Sequence, residues 1–127
     1  MKFCVLVLSL WILSACSSPI EEPSLTYDDF EHLSSWQEVK HHDGLWLIYF
    51  YHPLCPACEA IKDDIFQFAQ SDTVPIYFLL AEGDFGRVPD EDIRGIPTIV
   101  VMDGENYLHF VSGTTSILSV LENLKSE

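Results

Sequence analysis

Leu45-Trp46-Leu47-Ile48-Tyr49-Phe50-Tyr51, followed by His52-Pro53-Leu54-Cys55-Pro56-Ala57-Cys58, is the stretch that decides the fold. Its first seven residues are apolar or aromatic with no polar alternation, the pattern of a strand buried on both faces. His52-Pro53-Leu54 leaves that strand. Pro56 suits a first helical position, where a missing N–H costs nothing. Cys58, Ile61, Ile65 and Phe68 then recur at helical spacing, with Lys62, Asp63 and Asp64 off that face. Cys55 and Cys58 are thus in reach of each other across one helical turn. A disulfide there closes too short a loop to remove much unfolded-state entropy, so stabilisation is a poor reason for it. Reversible redox chemistry is a better one, because the partial positive charge of a helix N-terminus favours a thiolate at the first cysteine.

Upstream, the chain opens with a segment to set aside before any fold reasoning. Lys2 is a short positive region, and Phe3 to Leu13 is an apolar run broken only by Ser9, too short to span a bilayer. Leu13-Ser14-Ala15-Cys16 follows. It resembles the lipobox of bacterial lipoprotein precursors, which implies a signal peptide over 1–15 and a lipid on Cys16, anchoring the chain to a membrane in the cell envelope. An ordinary secretory signal peptide cleaved nearby is the alternative, and both readings export the protein. Residues 16–24 read as a tether and 25–127 as one folded domain. Cys4 falls in the removed segment and Cys16 is taken by lipid, leaving Cys55 and Cys58 as the thiols of the fold. That is no disulfide framework.

The 127 residues have room for one domain, and a hydrophobic share of 48% is enough to bury a core. The formal net charge is −14, and removing 1–15 takes Lys2 with it, making the remainder more acidic. Such a surface argues against nucleic acid and against electrostatic binding to anionic lipid. Membrane attachment therefore rests on the lipid.

The rest of the domain reads as follows. A short strand lies around Leu25–Tyr27. Asp28 or Asp29 caps a helix to about Lys40, with Phe30, Leu33, Trp36 and Val39 inward. His41-His42 is a solvated helix end. Val74–Ala81 is a second buried strand with Pro75 near its start. Glu82–Gly95 is an acidic, turn-rich connection with at most a short helix after Pro89, and Asp90-Glu91-Asp92 is a solvated face without calcium-loop spacing. Thr98–Met102 is a strand, Asp103-Gly104 a hairpin signal, and Tyr107–Val111 its partner. Thr114 or Thr115 caps a last helix with Ile117, Leu121 and Leu124 inward. The class is α/β, a mixed sheet flanked by helices on both faces, with the cysteine pair at the exit of a central strand.

Two separated motifs now carry a resemblance. Cys55-Pro56-Ala57-Cys58 after the apolar strand, and Ile93-Arg94-Gly95-Ile96-Pro97-Thr98 before the hairpin, resemble the thioredoxin family's active-site motif and its cis-proline segment. The likeness covers about Leu25 to Leu124. It implies a thioredoxin-like fold and thiol–disulfide oxidoreductase activity. Cys55 is then the exposed nucleophile and Cys58 the buried resolving thiol. Pro97 is cis and faces the pair, and Ile96 offers backbone groups to an extended substrate. Three departures matter. Leu54 stands where thioredoxin has Trp, Pro56-Ala57 where it has Gly-Pro, and Tyr49 where it has a buried acid, removing the usual proton acceptor of the resolving thiol.

No prosthetic group is implied; the Cys55–Cys58 disulfide is the redox centre. The partners implied are thiols and disulfides of exported proteins, and a redox partner that resets the pair. A zinc site is the rival for the cysteines, but two thiols and at best His52 fall short of four ligands. His52 could act as an imidazolium favouring the Cys55 thiolate, or as the missing proton carrier; the plainer reading is a loop histidine doing neither. Tyr49 and Tyr51 read more simply as strand packing. A different class of function also fits: a non-catalytic module that docks an exported partner beside Pro97.

Overall fold

The structure is a computed structural model, and it describes residues 23–35, 38, 42–82, 87–88, 91–93 and 95–127. Segment 1–15, Cys16 and most of the tether lie outside the described residues, as do Trp36, Val39 and Arg94. The apolar run forms strand β1, Leu45–Tyr51. It is followed by helix α1 (Pro56–Gln70), strand β2 (Ile76–Leu80), two short strands β3 (Arg87–Val88) and β4 (Glu91–Asp92), strands β5 (Thr98–Asp103) and β6 (Asn106–Ser112), and helix α2 (Thr114–Lys125). The main sheet has the order β2-β1-β5-β6, with β1 parallel to β2 and antiparallel to β5.

Strand β1 is internal, and that explains its lack of alternation. Leu47, Tyr49 and Tyr51 point to one face, where Cys58, Ile61, Ile65 and Phe68 of α1 and Ile117 and Leu121 of α2 meet them in a single buried cluster. Trp46, Ile48 and Phe50 point to the other, with Val100, Met102, Leu33 and Ile93. Both rows therefore have to be apolar. The one polar edge in this row, the Trp46 indole N–H, donates to the Gly104 carbonyl at 2.7 Å. The α/β class and the mixed sheet stand as read from the sequence. The two described α-helices lie on one face, however, and the opposite face is met among the described residues by Leu33 and Ile93 from non-helical segments.

The N-terminal part differs most from expectation. Leu25 is not in a strand, and the described start of the expected helix is instead a single 3-10 turn, Tyr27–Asp29. Thr26 caps it, with Asp29 Oδ2 accepting from the Thr26 backbone N–H at 2.7 Å. The chain then runs extended, and His32 forms a parallel bridge with Phe78 at the free edge of β2. The Leu33 N–H donates to the Phe78 carbonyl at 2.9 Å and the Phe78 N–H to the Glu31 carbonyl at 3.0 Å. Phe30 packs on the helical face and Leu33 on the opposite one. A helix cannot send residues three apart to two sides of a sheet; an extended segment passing its edge can.

Smaller differences follow the same logic. The region expected to hold a short helix after Pro89 pairs instead as β3 and β4. His42 is half-buried, with its Nε2 2.5 Å from the Tyr77 hydroxyl and its ring tilted on Trp46, rather than solvated. The hairpin is present, with Gly104 at φ 57°. Helix α2 begins one residue earlier than its threonines suggested, because Gly113 at φ 91° is the N-cap and no side chain caps the helix.

Candidate active site

The site begins with how α1 starts. Pro56 fixes the first helical residue, and Cys55 before it is the N-cap in extended conformation. The Cys55 Sγ takes the place an oxygen usually holds at this position: it accepts from the Cys58 N–H at 3.1 Å. The Cys55 carbonyl accepts from the Glu59 N–H at 3.0 Å and the Cys55 N–H donates to the His52 carbonyl at 3.1 Å, so the loop that turns the strand into the helix is closed on both sides. The outcome is two thiols with different access. Cys55 is partly exposed and Cys58 is fully buried against Tyr49 and Ile61.

The Gly95–Thr98 segment faces this pair from β5. The Ile96–Pro97 peptide bond is cis, and the Ile96 carbonyl lies 4.0 Å from the Cys55 Sγ. Thr98, the one buried polar residue in the described core, holds the segment: its hydroxyl donates to the Gly95 carbonyl at 2.7 Å and meets the Ser112 hydroxyl at 2.7 Å. The Pro97 carbonyl is already taken by the Gly113 N–H at 3.0 Å. Cys55, Cys58, Ile96 and Pro97 are therefore brought together as the sequence implied. Pro56 and Ala57 lie exposed beside them, and Leu54, the residue before Cys55, is 85% exposed.

His52 is placed otherwise. Its Nδ1 accepts from the Leu54 N–H at 3.1 Å. This contact ties the ring to its own loop. Among the described residues no three His, Cys, Asp or Glu side chains gather where a metal could sit.

The electrostatics of the two thiols differ in kind. Burial pushes the Cys58 thiol up to about 12, and the hydrogen bond with Cys55 adds to it, while the His52 backbone and the Tyr49 hydroxyl pull the other way. The unfolded chain, with its thiol near the ordinary 9, ionises first as pH rises. Cys58's contribution to stability is thus whole below about pH 9 and is lost as pH climbs toward about 12. The expected result in reduced protein at pH 8 is that iodoacetamide labels Cys55 and spares Cys58 until urea is added, read by peptide mass spectrometry. Equal labelling of both in the folded state would contradict the burial of Cys58.

Sequence reasoning passed over Tyr27. It lies in the 3-10 turn and stacks on Tyr51 at 4.0 Å, and charge on Cys58 acts on its hydroxyl. His32 was also passed over; its Nδ1–H donates to the Phe30 carbonyl at 2.9 Å and its Nε2 accepts from the Tyr51 hydroxyl at 2.6 Å. An isolated Tyr at the end of a segment read as strand, or an isolated His in one read as helix, carries no signal for such contacts.

The thioredoxin family profile matches residues 26–126. The chain belongs to the thioredoxin family. Solved thioredoxins agree in fold. Thioredoxin f2 of Chlamydomonas reinhardtii has a TM-score of 0.58 at 13% identity, covering 77% of this chain and 98% of its own. Mitochondrial thioredoxin 3 of Saccharomyces cerevisiae, in its oxidised form, has 0.57 at 17% identity, covering 80% and 98%. Thioredoxin from Trypanosoma brucei brucei has 0.54 at 19%, covering 68% and 80%. At these identities the likeness is one of fold. No curated protein sequence matches the chain. Membership of the thioredoxin family supports thiol–disulfide oxidoreductase chemistry in general, with protein thiols as substrates and a second redox protein as counterpart.

Proposed function

We propose that this thioredoxin-family protein is a lipid-anchored thiol–disulfide oxidoreductase of a bacterial cell envelope, acting on exported proteins through Cys55 and Cys58. The observation that carries the redox reading is the asymmetry of the pair. One sulfur is accessible at a helix N-terminus, and the other is buried one turn on, its own N–H bonded to the first. In the reductive direction the Cys55 thiolate attacks one sulfur of a substrate disulfide. A Cys55–substrate S–S bond forms, the substrate S–S bond breaks, and the departing substrate sulfur takes up a proton. Cys58 loses its proton and attacks the Cys55 sulfur. The Cys55–Cys58 bond forms, the bond to substrate breaks, and the second substrate sulfur leaves with the electron pair and is protonated. The substrate gains two electrons and the pair is oxidised; a partner dithiol resets it. Run backwards, the same steps oxidise a substrate, and the relative potentials set the direction. The Ile96 backbone, whose carbonyl lies 4.0 Å from the Cys55 sulfur, and the exposed side chain of Leu54, the residue before Cys55, are in this reading the surfaces against which a substrate segment lies.

The envelope location is supported by Leu13-Ser14-Ala15-Cys16 and the apolar run before it. No helix among the described residues is long and apolar enough to cross a membrane, so anchoring in this reading rests on lipid at Cys16. One acyl chain binds only marginally, so two or more are expected. The test has two arms. Equilibrating the protein in glutathione buffers of graded potential and trapping its thiols should show Cys55 and Cys58 converting together between dithiol and disulfide; a pair that never closes would end the redox reading. Separately, Cys16→Ser is expected to abolish incorporation of labelled fatty acid and to release the protein from the membrane fraction or stall its processing. A wild-type protein recovered unlabelled and wholly soluble would remove the anchor.

A further inference from the structure

Three tyrosine rings lie nearly parallel beneath the cysteine pair. Tyr27 stacks on Tyr51 with centroids 4.0 Å apart and planes at 16°, and Tyr49 lies beyond Tyr51 at 5.9 Å and 11°. Their hydroxyls are treated differently. Tyr51 donates to His32 at 2.6 Å, whereas the Tyr27 and Tyr49 hydroxyls are buried and, among the described residues, have no nitrogen or oxygen partner. A buried orphan hydroxyl destabilises the fold, so natural proteins seldom keep one without a use for it. Phenylalanine would fill the same space at Tyr49 without that cost.

The group that the Tyr49 hydroxyl faces is Cys58. Both are fully buried in one cluster, and each acts on the other's ionisation in opposite senses: the phenol favours the ionised sulfur, and the ionised sulfur holds the phenol neutral. Tyrosine at this position is no base, because burial drives its ionisation well above the ordinary range. What it retains is an O–H donor facing the Cys58 sulfur, a weak acceptor as a thiol and a strong one as a thiolate.

We infer that Tyr49 is a positioning residue for the resolving step, its unpartnered hydroxyl donating to the Cys58 sulfur when that sulfur becomes a thiolate and attacks the mixed disulfide at Cys55. The inference rests on the thiol–disulfide reading above. A hydrogen bond donated to a thiolate is stronger than one to a thiol, so it lowers the barrier more than it stabilises the resting dithiol. The Cys58 proton goes to solvent and the departing substrate thiolate takes one up; Tyr49 keeps its own throughout. Tyr27, on whose hydroxyl charge at Cys58 also acts, packs against the same cluster from the 3-10 turn. The other titrating groups around this cluster are Cys55 and Glu59 at the start of α1, Asp28 beside Tyr51, and His32 beyond it.

The test uses the full chain, reduced, mixed with the aromatic disulfide 5,5′-dithiobis(2-nitrobenzoate) in a stopped-flow instrument. Attack by Cys55 releases one thionitrobenzoate in a phase that depends on reagent concentration. Attack by Cys58 releases a second in a phase that does not. Tyr49→Phe is expected to leave the first phase unchanged and slow the second by about tenfold or more, the worth of a hydrogen bond to a charged group. Its pH–rate curve for the second phase should move to higher pH, while its melting temperature stays equal or rises. A wild type with no second phase would count against the redox reading itself. A normal wild type with an unchanged second phase in Tyr49→Phe would overturn the role of Tyr49, and so would a slowing of both phases together with a lowered melting temperature, which is what loss of packing produces.

Discussion

Cys58→Ser is expected to stop turnover, by at least about a thousandfold, and to leave the protein covalently joined to its substrates through Cys55. The geometry sets this outcome. Cys58 is fully buried and no substrate sulfur reaches it, yet its backbone N–H lies 3.1 Å from the Cys55 Sγ. Removing its sulfur leaves the first attack intact and takes away the second. Cys55→Ser should be equally inactive and should trap nothing. Non-reducing gels of membrane extracts, probed for bands that collapse on adding dithiothreitol, distinguish the two. If neither variant changes the cellular phenotype and no trapped species forms with Cys58→Ser, the domain is a docking module and its cysteines are dispensable.

The second large effect is on stability. Phe78 on β2 is fully buried, and its ring lies within about 6 Å of those of Phe30, His32, Tyr27, Tyr49, Tyr51 and Phe66. These side chains come from the 3-10 turn and the extended segment after it, from β1 and from α1. Phe78→Ala is expected to cost about 3–5 kcal/mol, combining lost transfer energy with a cavity that four elements cannot all close. That is a large part of the ~5–15 kcal/mol that holds a domain together. The melting temperature should fall by about 15 °C or more, read by circular dichroism. Leu54→Ala, at a side chain 85% exposed, should change it little. A fall of only a few degrees for Phe78→Ala would mean that the 27–33 segment does not dock on β2 as described.

The parts of the fold legible in the sequence are those whose signal is local. Seven unbroken apolar residues could only be an internal strand, and β1 spans Leu45–Tyr51. Pro56 with Cys58, Ile61, Ile65 and Phe68 defines α1 down to its inward face, although Phe66, which also buries itself by covering Phe30 and Tyr27, falls outside that period. The hairpin after Thr98–Asp103 was carried by Asp103-Gly104. The segment from Phe30 to Leu33 reads as helix because a spacing of three fits a helix about as well as it fits a chain crossing a sheet edge. The choice was made by Phe78, far along the sequence, whose backbone pairs with Glu31 and Leu33. For the site, both cysteines are visible in their spacing, and the Ile96–Pro97 segment through the resemblance to the thioredoxin family. The environment of Cys58 is not, because Tyr27 comes near it only once that same segment has docked. Tyr49, standing where the family has an acid, reads as strand packing, since an unbroken apolar run gives no hint of what a buried hydroxyl faces.

The Cys55 sulfur is both the reacting atom and the acceptor for the first turn of α1. Forming the Cys55–Cys58 bond changes what that amide has to donate to, so conformational stability and redox equilibrium are two sides of one thermodynamic box. Whatever free energy separates the unfolding of the reduced and oxidised forms reappears as a displacement of the pair's potential from that of the same cysteines in an unfolded chain, about 30 mV for each 1.4 kcal/mol. Two melting curves, one per redox form, thus measure an electrochemical quantity without an electrode. A substitution that alters how the helix begins, such as one at Pro56 or Ala57, retunes the protein as an electron donor or acceptor even though it touches neither sulfur.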